Sequence, residues 1–165
     1  MRKESERLIR RLKTNDIHAF RTLIDMYYGR VFDLCLRICL NTNHVQDMVV
    51  HTFVTAKQQI HEYDFEIPFD VWLYSIAVSS SLQVSHDEER VNTEAVDEVE
   101  QWLQQIPLYP KLTLVLKSVH HLTLEEMAYV LNCKVEAIKA YLRQGRELLQ
   151  VQHSKQMNAE MLVGS

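Results

Sequence analysis

Four cations recur near the C-terminal end of the chain, in "KVEAIKAYLRQGRELL": Lys134, Lys139, Arg143 and Arg146. A helix gathers that spacing around its polar side, with Ala137 and Ala140 on the outer surface between them. Such a set makes and breaks no bonds. Ammonium and guanidinium groups neutralise phosphate, and small outward residues let a helix approach base edges closely, so the combination suits a helix in a DNA groove. The plain alternative, a solvated charged face on a helical hairpin, stays open at this level.

The elements that position these cations are legible just upstream. Thr123 followed by Glu126 forms a capping box, so a helix starts at Leu124 and runs to Leu131. Asn132 suits the left-handed residue that ends it, and a three-residue turn leads into a second helix from Val135 to about Gln150. Val135, Ile138 and Leu142 then face inward beside Met127, Ala128 and Leu131. This is the pattern of a helix-turn-helix.

The rest of the chain reads as all-α. In 165 residues there are only three glycines and three prolines, which leaves few break points for strands and hairpins. Ile17, Phe20, Ile24, Tyr27, Val31, Leu34 and Ile38 recur in steps of three and four, predicting a long helix capped by Asn15 or Asp16. A second begins near Asn43, with Val45, Val49, Phe53, Ala56 and Ile60 inward. "HEYDFEIPFD" reads as a loop around Pro68, and "VWLYSIAVSSSLQV" as a helix with Trp72, Ile76, Ser79 and Leu82 inward. "VEQWLQQIP" and "KLTLVLKSV" predict short helices separated by Pro107 and Pro110. The expected organisation is two small helical domains: a helical bundle over residues 1–86 and a four-helix domain over 98–153 containing the helix-turn-helix. A polar, acidic linker over 87–97 would join them, with a tail over 154–165.

Charge and cysteine usage narrow the function. Net charge is −4, which excludes a uniformly basic nucleic-acid coat, yet Lys111 to Lys155 holds seven basic residues against four acids. Cys35 and Cys39 lie one helical turn apart among apolar residues and, with Cys133, read as reduced thiols of a cytoplasmic protein rather than a disulfide framework. Eight histidines fall at no zinc-like spacing, and no nucleophile, base and orienting group converge on a motif. The expectation is therefore no metal, no cofactor and no catalysis. "MRKESERLIRRLK" lacks the apolar core of a signal peptide, and no stretch has the length of a membrane span, so membrane insertion is not expected.

At this point the residues carry a resemblance. "LQQIPLYPKLTLVLKSVHHLTLEEMAYVLNCKVEAIKAYLRQGRELL" resembles the C-terminal domain of bacterial RNA polymerase sigma factors of the extracytoplasmic-function group. It shares their Leu-Glu-Glu-Met-Ala and Val-x-x-Ile-Lys helix openings and their Arg-x-Gly-Arg close. "DIHAFRTLIDMYYGRVFDL", "VQDMVVHTFVTA" and "WLYSIA" stand in that family's order in the other half. The resemblance implies a transcription-initiation factor that binds core RNA polymerase, directs it to specific promoter DNA and is held by an anti-sigma factor. Asp47 matches the acid that docks on the clamp of the largest polymerase subunit, flanked here by Val50 and His51 where the family has glutamine and an acid. Lys134, Ala137, Lys139 and Tyr141 to Arg143 match positions in or beside the major groove, with His121 at the place of a turn glycine.

The segment from Phe65 to about His86 matches the part that meets the downstream promoter element and its extruded strand. Here the sequence departs from the family: from residue 38 through residue 89 the only basic side chain is Lys57, against eight acids. Capture of a single strand in promoter melting would then fall to stacking on Tyr63, Phe65, Phe69 or Tyr74, at roughly 1–3 kcal/mol per base. For those aromatics, and for Trp72 above all, core packing is the competing reading. Two further functions stay open: a sigma-like interaction protein that occupies an anti-sigma factor or the clamp without opening promoters, and a dimeric helix-turn-helix regulator.

Overall fold

A computed structural model describes residues 2–38, 42–84 and 106–163, and all regular structure among them is helical. Clustering by proximity gives two compact units, the first taking residues up to Glu94 and the second most of those from Ala95 on. The linker expected over 87–97 and most of the helix expected in "VEQWLQQIP" lie outside the described residues.

The first unit opens with α1 (Arg2–Leu12), which the sequence reading treated only as a charged terminus. Leu8, Ile9 and Leu12 form its buried side against α2 (Ile17–Ile38). The α1–α2 corner turns on Asn15, at φ 62, and on Asp16, whose carboxylate accepts the backbone N–H groups of His18 and Ala19 at 2.9 and 3.2 Å. Asp16 is thus the cap of α2. This geometry corrects the start of the expected stripe: Ala19 and Leu23 are buried, while Ile17 is 56% exposed and Phe20 and Ile24 only half-buried. From Tyr27 on, the expected stripe holds, with Tyr27, Val31, Leu34 and Ile38 buried.

Opposite it, α3 (Thr42–Gln59) buries Val45, Val49, Phe53 and Ala56, and Ile60 follows in a 3₁₀ turn (Ile60–Glu62). A loop leads to α4 (Phe69–Val84), which packs on both α2 and α3. Its inward side is broader than expected, since Val71 to Tyr74 and Ile76 to Val78 are all buried; Ser79, expected inward, is exposed, and Ser80 and Ser81 are buried instead. Those two serines satisfy their hydroxyls on the Ile76 and Ala77 carbonyls one turn back, which permits their burial.

In the second part of the chain, α5 (Leu108–Ser118) starts three residues earlier than "KLTLVLKSV" suggests. Pro110 does not interrupt it, because a proline in the first turn lacks only an N–H that has no helical acceptor anyway. After α6 (Leu124–Val130) comes α7 (Val135–Val163), far longer than an end near Gln150. Past Gly145 no glycine or proline stops it before Val163, and Lys, Gln, Met, Ala and Glu sustain helix well. The axes of α5 and α7 come close where Gly145 is buried: a Cβ there would lie 2.8 Å from Leu114 Cδ1 and 3.3 Å from the Pro110 carbonyl oxygen.

Candidate nucleic-acid interface

The helix-turn-helix is built by local hydrogen bonds that follow from its sequence. Thr123 N–H donates to Glu126 Oε2 at 2.8 Å and Glu126 N–H donates back to Thr123 Oγ1 at 3.2 Å, which is the reciprocal cap. His121 and Asn132 take the two left-handed positions around α6, at φ 57 and 48. The Ala128 carbonyl accepts from Cys133 N–H at 3.0 Å, closing α6. The Lys134 carbonyl is then the first acceptor of α7, taking Ala137 and Ile138 N–H at 3.0 and 3.2 Å. Met127, Leu131, Ile138 and Leu142 are buried as expected, while Val135 and Ala128 are half-buried.

This scaffold leaves the cations outside. Lys134, Lys139, Arg143 and Arg146 are all exposed, and none forms an ion pair with a carboxylate among the described residues. Lys139, Arg143 and Arg146 line one open trough with Lys117, Leu124, Leu142, Glu147 and Gln150. Lys117, which reaches in from α5, was not singled out from the sequence; the basic excess between Lys111 and Lys155 was its only signal. Ala140 is exposed and Ala137 half-buried. Tyr141 is only half-available, because its ring stacks on Tyr109 with centroids 5.3 Å apart and planes 20° apart.

The aromatic residues of the first unit are placed differently from the expectation. Tyr63, Phe69, Trp72 and Tyr74 are buried, and Tyr63 touches Phe65, Phe69 and Trp72 with ring centroids 5.0 to 5.4 Å apart. Phe69 also meets Tyr27 edge-on at 5.2 Å. Burial pushes the Tyr74 hydroxyl well above the ordinary phenol value and raises that of Tyr27 as well. Tyr63, Phe69 and Tyr74 are therefore core side chains and offer no free face for stacking. Phe65 differs, being half-buried and held at φ 68, a conformation uncommon for a bulky residue.

Its loop is tied down by Tyr63 OH donating to the Ile67 carbonyl at 2.7 Å and by an Asp64 side chain accepting Glu66 N–H at 3.0 Å. Two cations lie over its ring, the Arg10 guanidinium of α1 at 4.8 Å and the Lys13 ammonium, from the turn after α1, at 5.0 Å from the centroid. Lys13 also donates to the Tyr63 carbonyl.

A third exposed set lies on α3. Asp47, Val50 and His51 all face out, with Val50 62% exposed beside Val49 at 1%, so this apolar side chain is on the surface and outside the core. Val54, 47% exposed and one turn further on, extends the stripe and was missed in the sequence because it repeats no charged motif. His51 Nδ1 lies 3.1 Å from Ser80 Oγ, which fixes the imidazole against α4. No cluster of three metal-ligating side chains occurs among the described residues, and no described helix is long and apolar enough to cross a membrane.

No protein-family model matches the sequence. Individual relatives do. The chain is 24% identical to the ECF RNA polymerase sigma factor SigW of Bacillus subtilis, over 87% of this chain and 94% of that one. It is 22% identical to the RNA polymerase sigma-H factor of Pseudomonas aeruginosa, over 88% and 92%. Among solved structures, CnrH in complex with the cytosolic domain of CnrY superposes with a TM-score of 0.78 at 20% identity, covering 92% of this chain and 98% of that one. The sigma factor RpoE in complex with the anti-sigma factor NepR from Bartonella quintana gives 0.69 at 12% identity, covering 81% and 96%. Sequence along nearly nine-tenths of the chain and an all-α fold agree on one resemblance, to the extracytoplasmic-function RNA polymerase sigma factors.

Proposed function

We propose that this chain is a sigma factor of the extracytoplasmic-function type: a cytoplasmic, non-enzymatic initiation factor that binds core RNA polymerase and directs it to a restricted set of promoters. The observation that carries the reading is the outer face of α7, where Lys139, Arg143 and Arg146 stand exposed, outnumber Glu147 in the trough they line and form no ion pair among the described residues. A face with such a cationic excess is suited to phosphate, and exposed Ala140 lets it approach base edges. In this reading the stripe of Asp47, Val50, His51 and Val54 on α3 docks on the polymerase clamp, and an anti-sigma protein competes for the same chain.

The test adds purified protein to core polymerase and fragmented genomic DNA, then sequences bound fragments and transcripts. The expected result is a limited set of enriched sites with transcripts starting inside them. Polymerase binding without transcripts would favour the second reading, a sigma-like protein that occupies the clamp or an anti-sigma factor. One observation favours that second reading: Tyr63, Phe69 and Tyr74 are buried and unable to hold extruded bases.

A further inference from the structure

On the α3 stripe His51 stands where the family pattern has an acid, and its neighbour on α4 fixes which ring nitrogen faces out. Ser80 Oγ donates its hydrogen to the Ile76 carbonyl at 2.9 Å, so toward His51 Nδ1, 3.1 Å away, it accepts. Nδ1 therefore carries the hydrogen of the neutral ring, and Nε2 keeps its lone pair. The residue is exposed and its Nδ1 edge is turned to α4, which leaves Nε2 as the nitrogen a partner meets. The neutral ring thus presents an acceptor, as a carboxylate does. Asp47, exposed one turn earlier, offers acceptors alone when ionised. Val50 and Val54 beside them are 62% and 47% exposed. Two acceptors next to two valines fit a cationic donor on an apolar stem, the chemistry of an arginine or lysine side chain. Protonation of His51 puts a donor and a positive charge where one of those acceptors was.

The other titratable groups around His51 are few. Cys35 of α2 lies against Thr52, the next residue of α3, and burial raises its thiol and keeps it neutral. Asp33 and Arg37 of α2 hold each other at 3.0 Å. On α4, Asp70 is paired with Arg30 at 3.0 Å and Tyr74 is buried; both lie at least six residues before Ser80. His44 and Lys57 of α3 sit about two turns to either side, with His61 and Glu62 of the 3₁₀ turn further on.

We propose that His51 is a specificity-determining residue of this docking stripe: as the neutral tautomer set by Ser80 it accepts a hydrogen bond from a cationic side chain of core polymerase, and as imidazolium it repels that cation, so docking weakens as pH falls. This rests on the sigma-type reading of the chain. Ser80 is the positioning residue, because without its hydroxyl the ring is free to carry its hydrogen on Nε2 and turn a donor outward.

The test measures binding of the fluorescently labelled full chain to core polymerase at pH 8.0 and pH 5.5, across most of the range in which histidine changes charge. Wild type is compared with His51→Gln, which does not titrate, and with Ser80→Ala in both backgrounds, each protein checked by thermal melting. Between the two pH values the wild type should lose at least about fivefold more affinity than His51→Gln, since the polymerase titrates equally in both. At pH 8.0 Ser80→Ala should weaken the wild type about threefold, an effect that should vanish when His51 is already glutamine. Nitrogen-15 NMR of the free chain should show the hydrogen of neutral His51 on Nδ1. Equal pH losses in wild type and His51→Gln would overturn the proposal, as would an equal effect of Ser80→Ala in both backgrounds or a hydrogen on Nε2. If the wild type binds polymerase at neither pH, the sigma-type reading fails and the proposal with it, a result distinct from binding without the pH difference.

Discussion

In the proposed reading duplex recognition rests on Lys139 and Arg143, both exposed side chains with no ion pair among the described residues. Lys139→Ala and Arg143→Ala should each reduce the log–log salt slope of duplex binding by about 0.9. Both should leave stability within about 0.5 kcal/mol, as surface substitutions do; a salt titration and a denaturant melt check both halves. These two residues were legible from spacing, because exposed cations on one helical side need only the 3.6-residue period to be found. Tyr63, Phe69 and Tyr74 were not, since an aromatic residue in a loop-and-helix segment has the same sequence signature whether it stacks on a base or on its neighbours. Cys35 is wholly buried, and burial pushes its thiol up to about 12 from 9.0. Above pH 9 the unfolded chain therefore releases a proton that the folded chain keeps, so stability falls as pH rises through that range. The fall between pH 9 and 10 should be shallower in Cys35→Ala, read from thermal melts of the two proteins.

At the scale of elements, the capping box and the α5–α7 crossing hold α7 where it is. Thr123→Ala removes the hydroxyl that accepts Glu126 N–H and should cost about 1 kcal/mol in a denaturant melt. Gly145→Val forces a branched side chain into the space already filled by Leu114 and the Pro110 carbonyl; overpacking of this kind costs about 1–3 kcal/mol. A Gly145→Val protein as stable as the wild type would mean that α5 and α7 do not approach as closely as described. Both helices of the motif were readable because their signals are local: a Thr-x-x-Glu cap, an Asn at the left-handed turn, an apolar period. The length of α7 was not: the glycine that follows its last residue, Val163, lies well beyond the end expected near Gln150. α1 was missed because Lys, Arg and Glu dominate its sequence, so that its three buried apolar residues Leu8, Ile9 and Leu12 look incidental until α2 covers them.

For the whole molecule, the division of labour follows from where charge and apolar surface are left exposed. The first unit shows an apolar and acidic stripe on α3 and a cationic ridge on α1, while α7 shows an excess of exposed cations beside Ala140. In the proposed reading protein docking on α3 and duplex reading on α7 fall on separate surfaces of one chain, and substitutions on one should leave the other intact. Val50→Glu should weaken co-elution with core polymerase at least tenfold while leaving duplex affinity unchanged, because Val50 is 62% exposed and contributes nothing to the core. The most direct measurement of the central claim is transcription by core polymerase on fragmented genomic DNA, with the wild-type chain and with the Lys139→Ala, Arg143→Ala double variant. The account predicts a discrete set of transcript starts with the wild type, lost with the variant even though it still co-elutes with polymerase. The same transcripts from both proteins, or none from either, would contradict it.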